Sequence, residues 1–179
     1  LNDLTDSLNV ALKEYNFSSV SQEEVRSFLG GGIKVLVHRA LKGKPNCDVY
    51  ENNVYTRMKV VYNERKMNKT FPYLGIPELI KQLKAMHIKT AVISNKDENE
   101  TIDIINHYFG ENVFNVIRGK RHGVMAKPDP TSVFEVMKEL KVHQEEVLYV
   151  GDSDVDMQTA INAGIRKIAV LWGYRDYNT

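Results

Sequence analysis

Val147-Leu-Tyr-Val-Gly-Asp-Ser-Asp-Val-Asp156 is the stretch whose reading decides the fold. Four apolar or aromatic residues run into a glycine, and three carboxylates follow within five positions. An apolar run of this length predicts a strand buried on both faces, as in a parallel sheet. Gly151 lets the backbone turn, so Asp152, Asp154 and Asp156 gather where the strand meets the next helix. Open α/β sheets bind ligands at the carboxyl ends of their strands. A divalent cation is the simplest reason to gather repelling carboxylates there. Two plainer readings compete. An EF-hand loop wants Gly sixth and Glu twelfth; counted from Asp152, those places hold Met157 and Ala163, so that reading fails. Alternatively, Ser153 or Asp154 caps the helix that follows, and first-turn carboxylates suit its dipole.

Working outward, the pattern on either side of this stretch alternates. Helices are predicted over 78–86, 98–108, 131–140 and 155–163, and strands over 89–93, 113–117, 147–150 and 167–171. Strands alternating with helices specify a parallel sheet with helices on both faces. Right-handed crossovers then bring every strand's carboxyl end to one rim, shared by Ser94, Asp152 and the residues after Leu171. Upstream of Pro72-Tyr-Leu-Gly-Ile-Pro77 the character changes. Leu4, Leu8, Ala11, Leu12 and Tyr15 form a helical stripe over 3–15. Ser21 with Glu24 is a capping-box pattern opening a helix through Phe28. Gly30-Gly31-Gly32 interrupts, helical spacing resumes over 33–41, and Asp48 caps a further helix to about Met67. This block has four helical patterns and no convincing strand.

Composition narrows the function classes. Lys and Arg nearly balance Asp and Glu, for a formal net charge of +1, so nothing favours nucleic acid or an anionic membrane surface. The single Cys47 excludes an internal disulfide framework and fits a reducing compartment. No apolar stretch approaches a membrane span, which points to the cytoplasm.

Three small motifs fall on or near the predicted rim. Val92-Ile-Ser-Asn-Lys96 ends a strand with a hydroxyl, an amide and an ammonium. A hydroxyl beside backbone N–H groups suits a phosphate oxygen, although Ser94 and Asn95 also suit a plain turn. In Lys127-Pro-Asp-Pro130, Asp129 and Pro130 read as a helix N-cap and first helical residue, which leaves Lys127 free to face an anion. The aspartate cluster is the third. Hydroxyl, lysine and carboxylates together suit a phosphoryl group with Mg²⁺. The five histidines lack ligand spacing. The glycine run lacks the Lys-Ser/Thr of a P-loop and reads as a hinge. Trp172-Gly-Tyr174 follows the last strand, where its aromatics either wall the site or simply pack.

In these motifs the chain resembles the haloacid dehalogenase superfamily, in its phosphoglycolate-phosphatase-like subgroup. Ile93-Ser94-Asn95-Lys96 resembles the family's second motif, Lys127-Pro128-Asp129-Pro130 its third, and Gly151 through Asp156 its fourth, in matching order and spacing. The resemblance covers essentially the whole chain. It implies a Rossmann-like α/β core over 71–179 and a helical cap of the C1 type over 1–70. It also implies that Ser94 and Asn95 bind substrate phosphate and that Lys127 neutralises the phosphoryl charge. Asp152 would ligate Mg²⁺, and Asp156 would orient metal-bound water or Lys127. The family's first motif, Asp-x-Asp-Gly-Thr, supplies the aspartate that becomes an aspartyl-phosphate, and it is not in this sequence. By the resemblance its strand lies between those ending at Ser94 and Gly151, so the expected sheet lacks a central strand and these 179 residues are expected to be inactive alone. Asp3 and Asp6 are not replacements; they begin the first cap helix.

The expected activity is therefore that of a Mg²⁺-dependent phosphomonoesterase acting on a small phosphorylated metabolite of the phosphoglycolate kind, in a monomer or homodimer. Arg39 and Lys34 on the cap are candidates to meet a substrate carboxylate. Pyrophosphate, a sugar phosphate or a nucleoside monophosphate are alternative substrates. A non-catalytic module that binds a phosphorylated ligand is the alternative outside enzymes.

Overall fold

The computed structural model describes residues 1–173, and the chain divides into two compact units, Leu1–Tyr73 and Leu74–Thr179. The first is helical: α1 (Asn2–Glu14), α2 (Gln22–Phe28), α3 (Gly32–Leu41) and α4 (Cys47–Arg65). Its apolar stripes converge on one core in which Leu8, Ala11, Leu12, Val25, Val37, Val54 and Met58 are fully buried. Ser21 caps α2 through the expected box: its hydroxyl accepts from the Glu24 N–H at 3.1 Å, and the Glu24 carboxylate accepts from the Ser21 N–H at 2.7 Å.

Asp48 is not the cap of α4. Asn46 holds that position in a left-handed conformation, and Asp48 lies within the first turn, where its charge suits the helix dipole. The two ends of the unit are tied together by Asp3. Its buried carboxylate accepts from the Lys69 N–H at 3.0 Å and from the Thr70 hydroxyl at 2.9 Å. No helix among the described residues is long and apolar enough to cross a membrane.

The second unit alternates: α5 (Ile76–Ala85), β1 (Ala91–Asp97), α6 (Glu98–Phe109), β2 (Val116–Lys120), α7 (Thr131–Leu140), a short 3-10 turn (Gln144–Glu146), β3 (Leu148–Gly151), α8 (Asp154–Ala163) and β4 (Arg166–Ala169). This is the α/β class that the alternation predicts, and every strand pairing is parallel. The strands form two separate pairs, β1 with β2 and β3 with β4. Among the described residues no ladder joins one pair to the other.

Two strand expectations need correction. β3 is not buried on both faces. Val147 and Tyr149 pack on the cluster of Val133, Met137, Ala160, Ala163 and Ile165, whereas Leu148 and Val150 stay 51% and 56% exposed. The apolar run therefore supplies two faces with period 2, and helices cover only one of them. β2 also begins later than the predicted 113–117. Phe114 packs edge-on against Phe109, with ring centroids 5.4 Å apart, and Asn115 bonds Thr90, so pairing starts only at Val116.

Candidate active site

β1 carries the first half of the site, and it is longer than predicted. Its pairing with β2 runs in register from Ala91 to Ile93 and resumes at Asp97 opposite Lys120. Four steps on β1 thus face two on β2, a bulge that contains Ser94, Asn95 and Lys96. Bulges re-aim side chains next to active sites. The polar triplet read as a turn after the strand is instead a distortion within it. Gly119 makes this local geometry possible: a Cβ there would lie 2.6 Å from the Glu98 nitrogen. The Ser94 hydroxyl accepts from the Lys96 N–H at 3.1 Å, which leaves its own proton to donate elsewhere.

Asn95 faces a different partner. Its side-chain amide donates to the Lys127 carbonyl at 3.0 Å and accepts from the Lys127 N–H at 2.8 Å. Lys127 then reaches back across the end of β1. Its ammonium donates to the Ile93 carbonyl at 3.0 Å and to Asp156 Oδ1 at 2.6 Å. Both side chains of that ion pair are about nine-tenths buried. The ammonium has three protons, and among the described residues only these two hydrogen bonds engage it.

The second half grows from β3. A Cβ on Gly151 would lie 2.6 Å from Asp156 Cγ, so glycine is what lets Asp156 fold back against the end of the strand. Ser153 is the N-cap of α8. Its hydroxyl accepts from the Asp156 N–H at 3.2 Å and donates to Asp156 Oδ2 at 2.6 Å. The cap reading therefore holds, and the same hydroxyl also binds the Asp156 carboxylate.

Burial pushes the Asp156 carboxyl up, but the Lys127 ammonium and the hydrogen bonds from Lys127, Ser153 and the Asp152 backbone outweigh it, holding it below the usual carboxylate range. Tyr149 completes the floor: its hydroxyl donates to Asp156 Oδ1 at 3.4 Å and Lys127 Nζ lies 6.0 Å from its ring centroid. Burial, then the Asp156 charge, pushes the Tyr149 phenol up, so it stays protonated.

The three aspartates do not act as one cluster. Asp156 is committed to Lys127, Asp154 is exposed in the first turn of α8, and Asp152 is half-buried where Gly173 passes beside it. Among the described residues no group of three or more acidic, His or Cys side chains comes together to hold a metal ion. The chemistry of Asp152 still fits magnesium, which keeps several waters and takes one or two carboxylates alongside substrate oxygens. At Lys127-Pro-Asp-Pro130 the cap position belongs to Pro130, because α7 starts at Thr131; Asp129 Oδ1 accepts from the Thr131 N–H at 2.9 Å from one residue further back.

In the helical unit, Arg39 donates to the Phe28 carbonyl at 3.0 Å and so ties down the end of α2. Lys34 is exposed, and the glycine run forms the turn into α3. Trp172 is half exposed, and Tyr174 lies outside the described residues.

Tyr149 and the Ile93 carbonyl are the members of the site that sequence reasoning missed. Period 2 places Tyr149 on the same face as Val147 and Gly151, and that signal was available. Nothing in the sequence marks the Ile93 carbonyl as an acceptor.

The family model for haloacid dehalogenase-like hydrolases matches residues 2–170. The chain belongs to that family. It is similar to the phosphoglycolate phosphatase of Aquifex aeolicus (strain VF5), 31% identical over 179 residues that make up 99% of this chain and 81% of that protein. It is also 31% identical over 175 residues to the phosphoglycolate phosphatase of Pseudomonas syringae pv. tomato, covering 96% of this chain but 64% of that longer protein. Among solved structures, one described as a predicted phosphoglycolate phosphatase from Haemophilus somnus 129PT superposes with a TM-score of 0.91 at 26% identity, covering 99% of this chain and 81% of that one. The fold alone is shared with CbbY from Rhodobacter sphaeroides, at a TM-score of 0.80 and 20% identity over 98% of this chain and 82% of that one.

Proposed function

We propose that these residues form the phosphate-handling part of a phosphomonoesterase acting on a small phosphorylated acid of the phosphoglycolate kind. The observation that carries this reading is the Lys127 ammonium, fixed by the Ile93 carbonyl and Asp156 with a proton to spare, on the unit that presents the Ser94 hydroxyl. Phosphoryl transfer asks the protein mainly for positioning and charge neutralisation. Ser94 donates to a non-bridging phosphate oxygen. Lys127 offsets the negative charge on the phosphoryl group, while Asp156, ionised throughout the neutral range, keeps that ammonium charged and aimed.

Asp152 supplies a carboxylate to a divalent cation, with magnesium the best match to a single hard oxygen donor. When bound, that cation spreads charge away from the phosphoryl oxygens. In the family the attacking carboxylate comes from an Asp-x-Asp-Gly-Thr strand, a motif absent from these 179 residues. The phosphoglycolate phosphatases of Aquifex aeolicus and Pseudomonas syringae support the substrate class.

The test is to join an Asp-x-Asp-Gly-Thr strand ahead of Leu1 and measure phosphate release from phosphoglycolate and a panel of sugar phosphates, nucleotides and pyrophosphate, with Mg²⁺ or EDTA. Release should require the added strand and Mg²⁺, favour phosphoglycolate, and fall by about 10²–10³ in Lys127→Ala, the range for losing one preorganised charge-stabilising donor. Full release by Lys127→Ala would exclude the reading. A preference for pyrophosphate or a nucleotide would keep the chemistry and change the substrate.

A further inference from the structure

We propose that Asn95 is a positioning residue for Lys127 and not a ligand of the substrate phosphate. The inference rests on the reading of Lys127 as the anion-facing group, and it concerns how that group is held. Lys127 lies on the loop before α7, 32 residues from Asn95. This segment runs from the end of β2 at Lys120 to Thr131 without regular structure. Met125 on it is 68% exposed, and Ala126 and Pro128 on either side of Lys127 are exposed too, so packing does little to fix the backbone there.

Asn95 supplies what packing does not. Its carboxamide is matched to the Lys127 backbone at both ends, accepting from the N–H at 2.8 Å and donating to the C=O at 3.0 Å. Both backbone groups of Lys127 are thereby satisfied by one side chain, which presents them with the donor and acceptor of a neighbouring peptide. The bulge in β1 makes this possible, because it takes Asn95 out of the regular ladder with β2.

Two further points are then set by β1: the Lys127 backbone on Asn95 and the Lys127 ammonium on the Ile93 carbonyl. The side chain is stretched between two anchors on one strand, two residues apart, and a third, Asp156, comes from α8. Losing the amide frees the base of the side chain while its tip keeps both acceptors. The expected consequence is a wandering ammonium, not an unfolded unit. A carboxylate in place of the carboxamide keeps the acceptor for the Lys127 N–H and loses the donor, so that a negative oxygen faces the Lys127 carbonyl.

The test reads the lysine directly and does not depend on catalysis. The intact chain is treated with a trace of an amine-acylating reagent, and mass spectrometry compares labelling of Lys127 with that of exposed lysines such as Lys42 and Lys81 in the same sample. In the wild type, Lys127 should be protected relative to them. In Asn95→Ala its relative labelling should rise by about tenfold, the order expected when the two hydrogen bonds to the Lys127 backbone are lost, with the exposed lysines unchanged. Asn95→Asp should fall between the two. If Asn95→Ala does not fold, Asn95→Asp carries the test alone.

Unchanged protection of Lys127 in a folded Asn95 variant overturns the inference. A uniform rise at all lysines would mean general loosening and would overturn it as well. Binding of inorganic phosphate, titrated in parallel, separates this result from the functional reading. Wild-type protein that protects Lys127 yet binds no phosphate would sink the proposed function and leave the role of Asn95 standing.

Discussion

The two units of this chain solve the burial problem to different degrees. In the helical unit, stripes on four helices meet one another, and Leu8, Leu12, Val25, Val37 and Met58 lose all contact with solvent. In the α/β unit the strands have a covered face and an open one. Leu148, Val150 and Ile168 remain about half exposed, all of β4 is exposed, and no residue of α5 is buried. Helices can satisfy their backbones internally and need only a partner for one stripe. A strand needs neighbours at both edges and cover on both faces. The helical unit is therefore held by apolar contacts, while the site in the α/β unit is held by polar ties: Asn95 to Lys127, Lys127 to Ile93 and Asp156, Ser153 to Asp156.

The comparison is sharpened first by deleting core atoms from the closed unit. Leu12→Ala should destabilise α1 and α4 by about 2–5 kcal/mol, the usual range for a fully buried leucine, read from hydrogen exchange of their amides. A loss below about 1 kcal/mol would show that the helical core relaxes freely and would erase the contrast. Next comes Asp3→Ala, which strips the Lys69 N–H and the Thr70 hydroxyl of their acceptor. It should cost about 1.5–3 kcal/mol, the range for hydrogen bonds to a charged group, measured by denaturant unfolding.

The pH dependence of the second unit follows from Asp156. Its carboxyl titrates below the usual range when folded, so the stability it contributes is complete above the ordinary carboxylate pKa and is lost as pH falls through the lowered one. The gap in unfolding midpoint between wild type and Asp156→Asn should therefore be widest at neutral pH and shrink in acid. A gap that stays constant would remove the charge pair from the account. The smallest effect belongs to the open face: Val150→Ser should change stability by no more than about 0.5 kcal/mol. A larger loss would mean that this face is covered in solution.

What could be read from the sequence divides along the same line. The helical stripe around Leu8 and Leu12 and the Ser21–Glu24 box are local patterns, and the structure contains both as expected. The alternation of elements also sufficed for a parallel α/β unit. Beyond that, local reading fails where a tertiary contact decides. The bulge at Ser94–Lys96 depends on Gly119 approaching Glu98 from another strand. The amide of Asn95 pairs with the Lys127 backbone, a partner 32 residues away that neighbours in sequence cannot reveal. Spacing alone gathers the three aspartates at one strand end, and the start of α8 separates them. One joins Lys127, one faces solvent, and one stays at the rim.

Equilibrium binding of inorganic phosphate to this chain, by calorimetry with and without Mg²⁺, tests the central claim most directly. Wild-type protein should bind, Mg²⁺ should strengthen binding through Asp152, and both Lys127→Ala and Ser94→Ala should weaken it, the lysine variant more, by about tenfold or greater for the lost charged hydrogen bond. Binding unaltered by both substitutions would contradict the assignment of this site to phosphate.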